Sequence, residues 1–377
     1  MHILKRRDLL QQMVRGILGS VAVPGLELGL DSQAGKSPSW AGELHLDRNE
    51  NADGPAPSVL AALQQSLGQA NRYPRKMGDL QEALARKHGL KPEQVLLGCG
   101  SSDLIRMAVG SYLDPKRNLV VGSPSLELAP VLAEGLGAKV IRVALRKDYS
   151  YDLEAMQAKC DGQTGLVYIC NPNNPTGTLT DRRALEAFLG KLPLEIGVVL
   201  DEAYHDYSGG SRAYHSFIEK RLDRENLVIL RTFSKVYGLA GLRIGYGVAN
   251  PATAARMTRQ HLQFTEGTLA ITAALAALAD QSYLARSVER NENQRQEFLN
   301  QVNARMLRAL DSHTNFVCVN VMHPLKPILE HFEKHRVFLG PKIPELPNHL
   351  RVSLGTADEM REFWRVWDML GLHPMAM

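Results

Sequence analysis

Seven short apolar runs between residues 94 and 248 constrain the fold more than any other feature of this chain. They are Gln94-Val-Leu-Leu, Leu119-Val-Val, Lys139-Val-Ile-Arg-Val, Gly165-Leu-Val-Tyr-Ile-Cys, Ile196-Gly-Val-Val-Leu, Leu227-Val-Ile-Leu and Arg243-Ile-Gly-Tyr-Gly-Val. Each has strand length. Helix-like segments lie between them, one from Ser102 and another from Asp181 to Leu189. A strand that is apolar on both faces must be covered on both, and strands alternating with helices build parallel sheets through crossovers. The expected class is α/β, with a mostly parallel, seven-stranded sheet flanked by helices.

The two ends of the chain follow other patterns. Ser58 is expected to cap a helix through Leu67, and Asp79 to His88 is a further amphipathic helix. From Gln281 a long charged helix is expected to run to about Leu310. The strand Phe316-Val-Cys-Val-Asn-Val, a helix from Leu325 to His335, the strand Leu350-Arg-Val-Ser-Leu and a helix from Ala357 follow. This divides the chain into a large domain over 61–280 and a smaller α+β domain over 281–377, with 36–60 an N-terminal arm and part of the smaller domain. Residues 1–35 stand apart. Lys5-Arg6-Arg7-Asp8-Leu9-Leu10 has twin-arginine spacing, a mildly apolar stretch follows, and Ser32-Gln-Ala-Gly35 offers small residues for cleavage. That pattern implies export of a folded protein to the periplasm or beyond; an amphipathic N-terminal helix or an oligomer arm in a cytoplasmic protein is the alternative.

Composition removes several function classes. The charges, 44 basic against 40 acidic, are balanced and dispersed, so no nucleic-acid footprint stands out. No apolar run reaches the roughly 20 residues needed to span a bilayer. Four cysteines form no CxxC pair, and Cys170 and Cys318 fall within apolar strands as buried thiols. His331 and His335 share a helix face but lack the HExxH order and a third ligand. Gly238-x-x-Gly241 lacks the preceding strand of a dinucleotide fingerprint. No metal site is read from the sequence.

Four segments carry chemistry. Gly98-Cys-Gly-Ser101-Ser102-Asp103 links a strand to a helix, where glycines admit an anion and free amides meet it. Asn171-Pro-Asn-Asn174-Pro-Thr-Gly177 follows a buried strand, at the sheet edge where ligands of open α/β sheets bind. Asp201-Glu-Ala-Tyr204 ends the next strand; such an acid can keep a heteroaromatic nitrogen protonated, and taken alone it could also serve a hydrolase or a metal. Arg231-Thr232-Phe-Ser-Lys235, with Arg243 eight residues on, suits an amine that holds an aldehyde while hydroxyl and cationic groups hold a phosphate.

Together these segments resemble a fold-type I pyridoxal-phosphate aminotransferase, and within that family the histidinol-phosphate branch. The likeness runs from about Leu44 to Leu370. It implies pyridoxal 5′-phosphate as cofactor, held as a Schiff base by Lys235. Thr232, Arg243, Ser101 and Ser102 would take its phosphate. Asn174 and Tyr204 would bond its phenolate oxygen, and Asp201 its ring nitrogen. Tyr73 matches a tyrosine that reaches the neighbouring subunit's phosphate, which implies a homodimer with shared sites. Arg351 matches the arginine that clamps a substrate α-carboxylate, and Asn49 and Asn315 line the substrate pocket. The partners implied are an amino acid and a 2-oxo acid, with Lys235 moving a proton between substrate and cofactor.

Three departures bear on specificity. Leu126 stands where the family has an aromatic residue stacked on the cofactor ring. Ala52 replaces the proline of Asn-Glu-Asn-Pro. Gly340 stands where the histidinol-phosphate enzymes often carry arginine, which with the export pattern points away from a phosphorylated substrate and housekeeping histidine synthesis. A decarboxylase or cyclising synthase would keep the same lysine, acid and arginine. An exported binding protein without catalysis is the reading from another class.

Overall fold

The computed structural model describes residues 42–219 and 224–372. The expected twin-arginine segment lies outside these residues.

Among the described residues the twelve strands are β1 (Leu44–Leu46), β2 (Val95–Gly98), β3 (Asn118–Ser123), β4 (Lys139–Ala144), β5 (Thr164–Cys170), β6 (Gly197–Asp201), β7 (Leu227–Thr232), β8 (Gly245–Ala249), β9 (Arg308–Ala309), β10 (Phe316–Asn320), β11 (Val337–Leu339) and β12 (His349–Ser353). Seven of them form one sheet in the order β2-β8-β7-β6-β5-β3-β4. β3 to β7 pair in parallel, and β8 runs antiparallel to both β7 and β2. The mixed α/β class and the mostly parallel sheet are as the apolar runs imply.

Both faces of the sheet are covered. Val167, Ile169, Val198, Leu200, Leu227 and Ile229 enter one apolar core, while Leu166, Tyr168, Val199, Val228 and Leu230 enter the other. Successive residues point to opposite faces of a strand, so a run such as Leu227-Val-Ile-Leu must be apolar throughout to serve both cores. Each such side chain, fully buried, contributes about 1.5–3 kcal/mol.

A second assembly has its own core, including Phe298, Phe332, Phe363, Trp364 and Trp367. β12, β10 and β9 form an antiparallel sheet, and β1 pairs in parallel with β11. Strand β1 thus meets residues almost 300 positions later: Leu44 lies opposite Val337.

Three local expectations need correction. The first described helix begins at Pro57 with Ala56 at its N-cap, because proline at the first helical position needs no amide partner. Ser58 instead donates to Asp280 Oδ2 at 2.6 Å. The long charged helix ends at Ala304, not Leu310; the chain turns at Met306, with φ of 55°, so that Arg308 and Ala309 can pair with β10. Arg243 precedes its strand, in a left-handed conformation with φ of 52°.

Candidate active site

The sheet register assembles the site. Asp201, last residue of β6, lies opposite Cys170 at the end of β5 and opposite Leu230 in β7. Thr232 and Gly98 both lie opposite Gly245. The segments after β2, β5, β6 and β7 therefore leave the sheet along one edge, where the antiparallel β8 begins. That edge is where an open α/β sheet binds ligands.

Asp201 is 1% exposed. Tyr168 Oη donates to its Oδ2 at 2.8 Å and the Ala203 amide to its Oδ1 at 3.1 Å. Burial outweighs these bonds and lifts the Asp201 carboxyl to about 6. An acid so buried and so raised gains most from a cation placed against it.

Lys235 is half-buried, and its Nζ donates to the carbonyls of Arg48 at 3.1 Å and Asn49 at 2.9 Å. It lies 5.6 Å from the centre of the Tyr204 ring. Desolvation first, and the Arg351 charge next, lower its ammonium to about 8. Near neutral pH a fraction of the amine is free to attack a carbonyl.

The phosphate side is a cradle that a larger residue at one position would fill. Gly100 has φ of 77°, and a Cβ there would run into the Arg243 guanidinium. The helix Ser101–Tyr112 starts on Gly100 with no side chain capping it. Its first amides are thus available to an anion. Arg243 Nη1 donates to Ser234 Oγ at 3.2 Å, and Thr232 Oγ1 accepts from the Ser234 amide at 3.0 Å.

The opposite wall comes from the second assembly and the segment after β1. Arg351 on β12 donates to Asn174 Oδ1 at 2.7 Å and to the Asp47 carbonyl at 2.6 Å. Its Nε is buried without a partner. Asn49, with φ of 55°, donates from Nδ2 to Tyr204 Oη at 3.0 Å, and its amide donates to Ser353 Oγ at 2.8 Å. Asn315 Nδ2 donates to the carbonyls of Asn49 and Glu50 at 3.0 and 3.1 Å, leaving its buried Oδ1 unpartnered.

The structure therefore brings Lys235, Asp201, Tyr204, Asn174, Thr232, Arg243, Ser101, Ser102, Arg351, Asn49 and Asn315 to one edge of the fold. Two expected residues stand differently. Tyr73 is 73% exposed and packs on Phe264 at 4.7 Å, within a surface patch. Leu126 is half-buried against the apolar core of one sheet face.

A model of the aminotransferase class I and II family matches residues 41–366. The chain belongs to that family. Histidinol-phosphate aminotransferase 1 of Nitrosococcus oceani is 40% identical over 328 residues, 86% of this chain and 88% of the relative. The histidinol-phosphate aminotransferase of Moorella thermoacetica is 36% identical, over 85% of this chain and 84% of its own. Among solved structures, histidinol-phosphate aminotransferase from Sinorhizobium meliloti, in complex with pyridoxal-5′-phosphate, superposes with a TM-score of 0.81. It is 32% identical, with 87% of this chain and 91% of that one covered. This aminotransferase is pyridoxal-phosphate dependent, and its fold is that of the fold-type I enzymes. The uncapped helix start, the Gly100 cradle and the buried, raised Asp201 fit such a group.

Sequence reasoning missed Tyr168, Ser353 and the ion pair beneath the site. Arg231 Nε donates to Glu202 Oε2 at 2.9 Å, joining the ends of β6 and β7, and Ser216 Oγ donates to the same carboxylate oxygen at 2.7 Å. A tyrosine hydroxyl inside the apolar run of β5 needs a polar partner when buried; that was the available signal for Tyr168. Ser353 carried none, because its partner Asn49 is 304 residues away.

Proposed function

We propose that this aminotransferase moves an amino group between an α-amino acid and a 2-oxo acid, with Arg351 binding the α-carboxylate. The observation that carries this reading is Arg351 itself. Its guanidinium is mostly buried, held at two corners by Asn174 and Asp47, and its Nε has no partner. A fixed fork with a spare donor suits a planar carboxylate.

When bound, pyridoxal phosphate supplies an electron sink for the bond broken at the substrate Cα. The protein's own residues do the rest. Thr232, Arg243 and the start of the Ser101 helix hold the phosphate. Asp201 keeps a proton on the ring nitrogen, and Tyr168 orients Asp201. Tyr204 and Asn174 bond the phenolate oxygen, and Asn49 fixes Tyr204. Lys235 would hold the cofactor by its aldehyde, and its Nζ, when free and neutral, would take the proton from the substrate Cα. Asn315 buttresses the Asn49 backbone.

The relatives' names support a second reading for the amine, histidinol phosphate; Gly340, without a cation, speaks for an amine that carries no phosphate. The test is a panel of amino donors, histidinol phosphate among them, offered to the purified enzyme with 2-oxoglutarate. Oxo-acid formation is expected. Carbon dioxide without oxo acid would mean a decarboxylase.

Two further parts of the proposal concern the whole protein. The exposed Tyr73–Phe264 pair supports a homodimer in which Tyr73 serves the partner's phosphate; a monomer in sedimentation would contradict it. Arg6-Arg7 supports twin-arginine export, and changing both to lysine should hold the protein in the cytoplasm. No single described helix is long and apolar enough to cross a membrane.

A further inference from the structure

At the first turn of the helix that starts at Ser101, three side chains converge that amino transfer does not use. Asp103 lies in the first turn of that helix. His261 and Glu266 lie between the helices Pro251–Thr258 and Thr268–Ala279. One ligand atom from each falls within 4.8 Å of the others.

Glu266 is fully buried, at 0% exposure. Its Oε1 is 2.9 Å from His261 Nε2, while its Oε2 is buried with no hydrogen-bond partner. Asp103 Oδ1 accepts from Arg106 Nε at 2.8 Å, and its Oδ2 meets the Cys99 amide only at 3.4 Å. Thr265 Oγ1 stands 3.4 Å from the same His261 nitrogen.

A buried carboxylate with one bare oxygen is costly unless a cation meets it. The contact with His261 Nε2 accounts for Oε1 and leaves Oε2 bare. Arg106 engages Asp103 and the Gln260 carbonyl, not Glu266.

We propose that Asp103, His261 and Glu266 bind a divalent transition-metal ion of the zinc class. One imidazole and two carboxylates are a donor set such ions accept, with a fourth position left for the Thr265 hydroxyl or water. Bonds of about 2.0–2.2 Å to a tetrahedral ion put ligand atoms about 3.4 Å apart, so the three atoms, now within 4.8 Å of one another, would draw together on binding. The ion is structural. It ties the first turn of the phosphate-binding helix to the loop whose Phe264 packs on Tyr73.

The experiment uses the holoenzyme, stripped with a chelator, dialysed and titrated calorimetrically with zinc chloride. One equivalent per chain should bind and raise the unfolding temperature. Glu266→Gln and His261→Gln should each weaken binding by about tenfold or more, with the absorbance of the Lys235-bound cofactor unchanged. His261 is the more exposed, so its variant supplies the readout if Glu266→Gln fails to fold. Binding no tighter than about 0.1 mM, or affinity unchanged in the variants that fold, would overturn the proposal.

Discussion

The floor and the wall of the site are built on different principles. The floor, from Asp201, Thr232, Lys235, Asn174 and Ser101, hangs from neighbouring strand ends whose register is fixed by sheet hydrogen bonds. The wall, from Arg351, Asn49 and Asn315, is held by side chains gripping backbone carbonyls across the fold: Arg351 on Asp47, Asn315 on Asn49 and Glu50, Lys235 on Arg48 and Asn49. A sheet edge repeats itself wherever its strands pair, so it suits a cofactor site. Side-chain grips across loops are altered one residue at a time, which suits a substrate site.

Floor changes should therefore abolish chemistry and wall changes should alter substrate binding. The largest effect is expected for Lys235→Ala: kcat should fall by about 10⁴-fold, with the phosphate still retained and no borohydride-stable link to the cofactor. Asp201→Asn keeps the shape but loses the charge, and kcat should fall about 10²–10³-fold with KM little changed. Arg351→Lys replaces a fork with a point charge. Losing one charged hydrogen bond, about 1.5–3 kcal/mol, should raise KM for the amino acid about 10–100-fold with a smaller loss in kcat. If instead kcat alone collapsed, floor and wall would not be separable.

A pH series sharpens the floor. Capture of pyridoxal phosphate by the apoprotein needs Asp201 ionised and Lys235 neutral. Asp201 is raised to about 6 and Lys235 lowered to about 8, each chiefly by burial. The capture rate should climb with pH through 6 and again through 8, roughly tenfold from pH 7 to its plateau, and then level. A climb continuing toward 10.5, the ordinary lysine value, would show Lys235 to be unshifted. Gly340→Ala is the smallest change. A Cβ there would lie 2.9 Å from the Arg351 carbonyl oxygen and 3.0 Å from its Nε. Crowding of about 1 kcal/mol should raise KM roughly fivefold and leave cofactor capture alone.

The same division governs what the sequence could reveal. Strand ends are marked by an apolar run that stops, so Asp201, Asn174 and Lys235 announced themselves, and the sheet class followed from runs such as Leu227-Val-Ile-Leu. Arg351 and Asn315 could be named only through a family likeness, because nothing local says that β12 faces Lys235. Ser353 was invisible because its partner is remote. Glu202 stood beside Asp201 in plain view, but its role depends on Arg231 at the end of the next strand. The long helix was drawn too far because Leu307 and Leu310 extend an apolar periodicity, while pairing of β9 with β10 is a tertiary preference. Ser58 looked like a cap because serine favours that position, but proline at 57 had already begun the helix.

The central claim is that Lys235 and Arg351 serve one reaction, the transfer of an amino group from a bound amino acid to the cofactor. It is tested most directly by mixing the holoenzyme with a single amino acid and no oxo-acid acceptor. The account predicts one equivalent of 2-oxo acid per chain, loss of the Lys235-bound cofactor absorbance, and pyridoxamine phosphate on release of the cofactor. An unchanged spectrum with every amino acid tried, or carbon dioxide in place of the oxo acid, would contradict it.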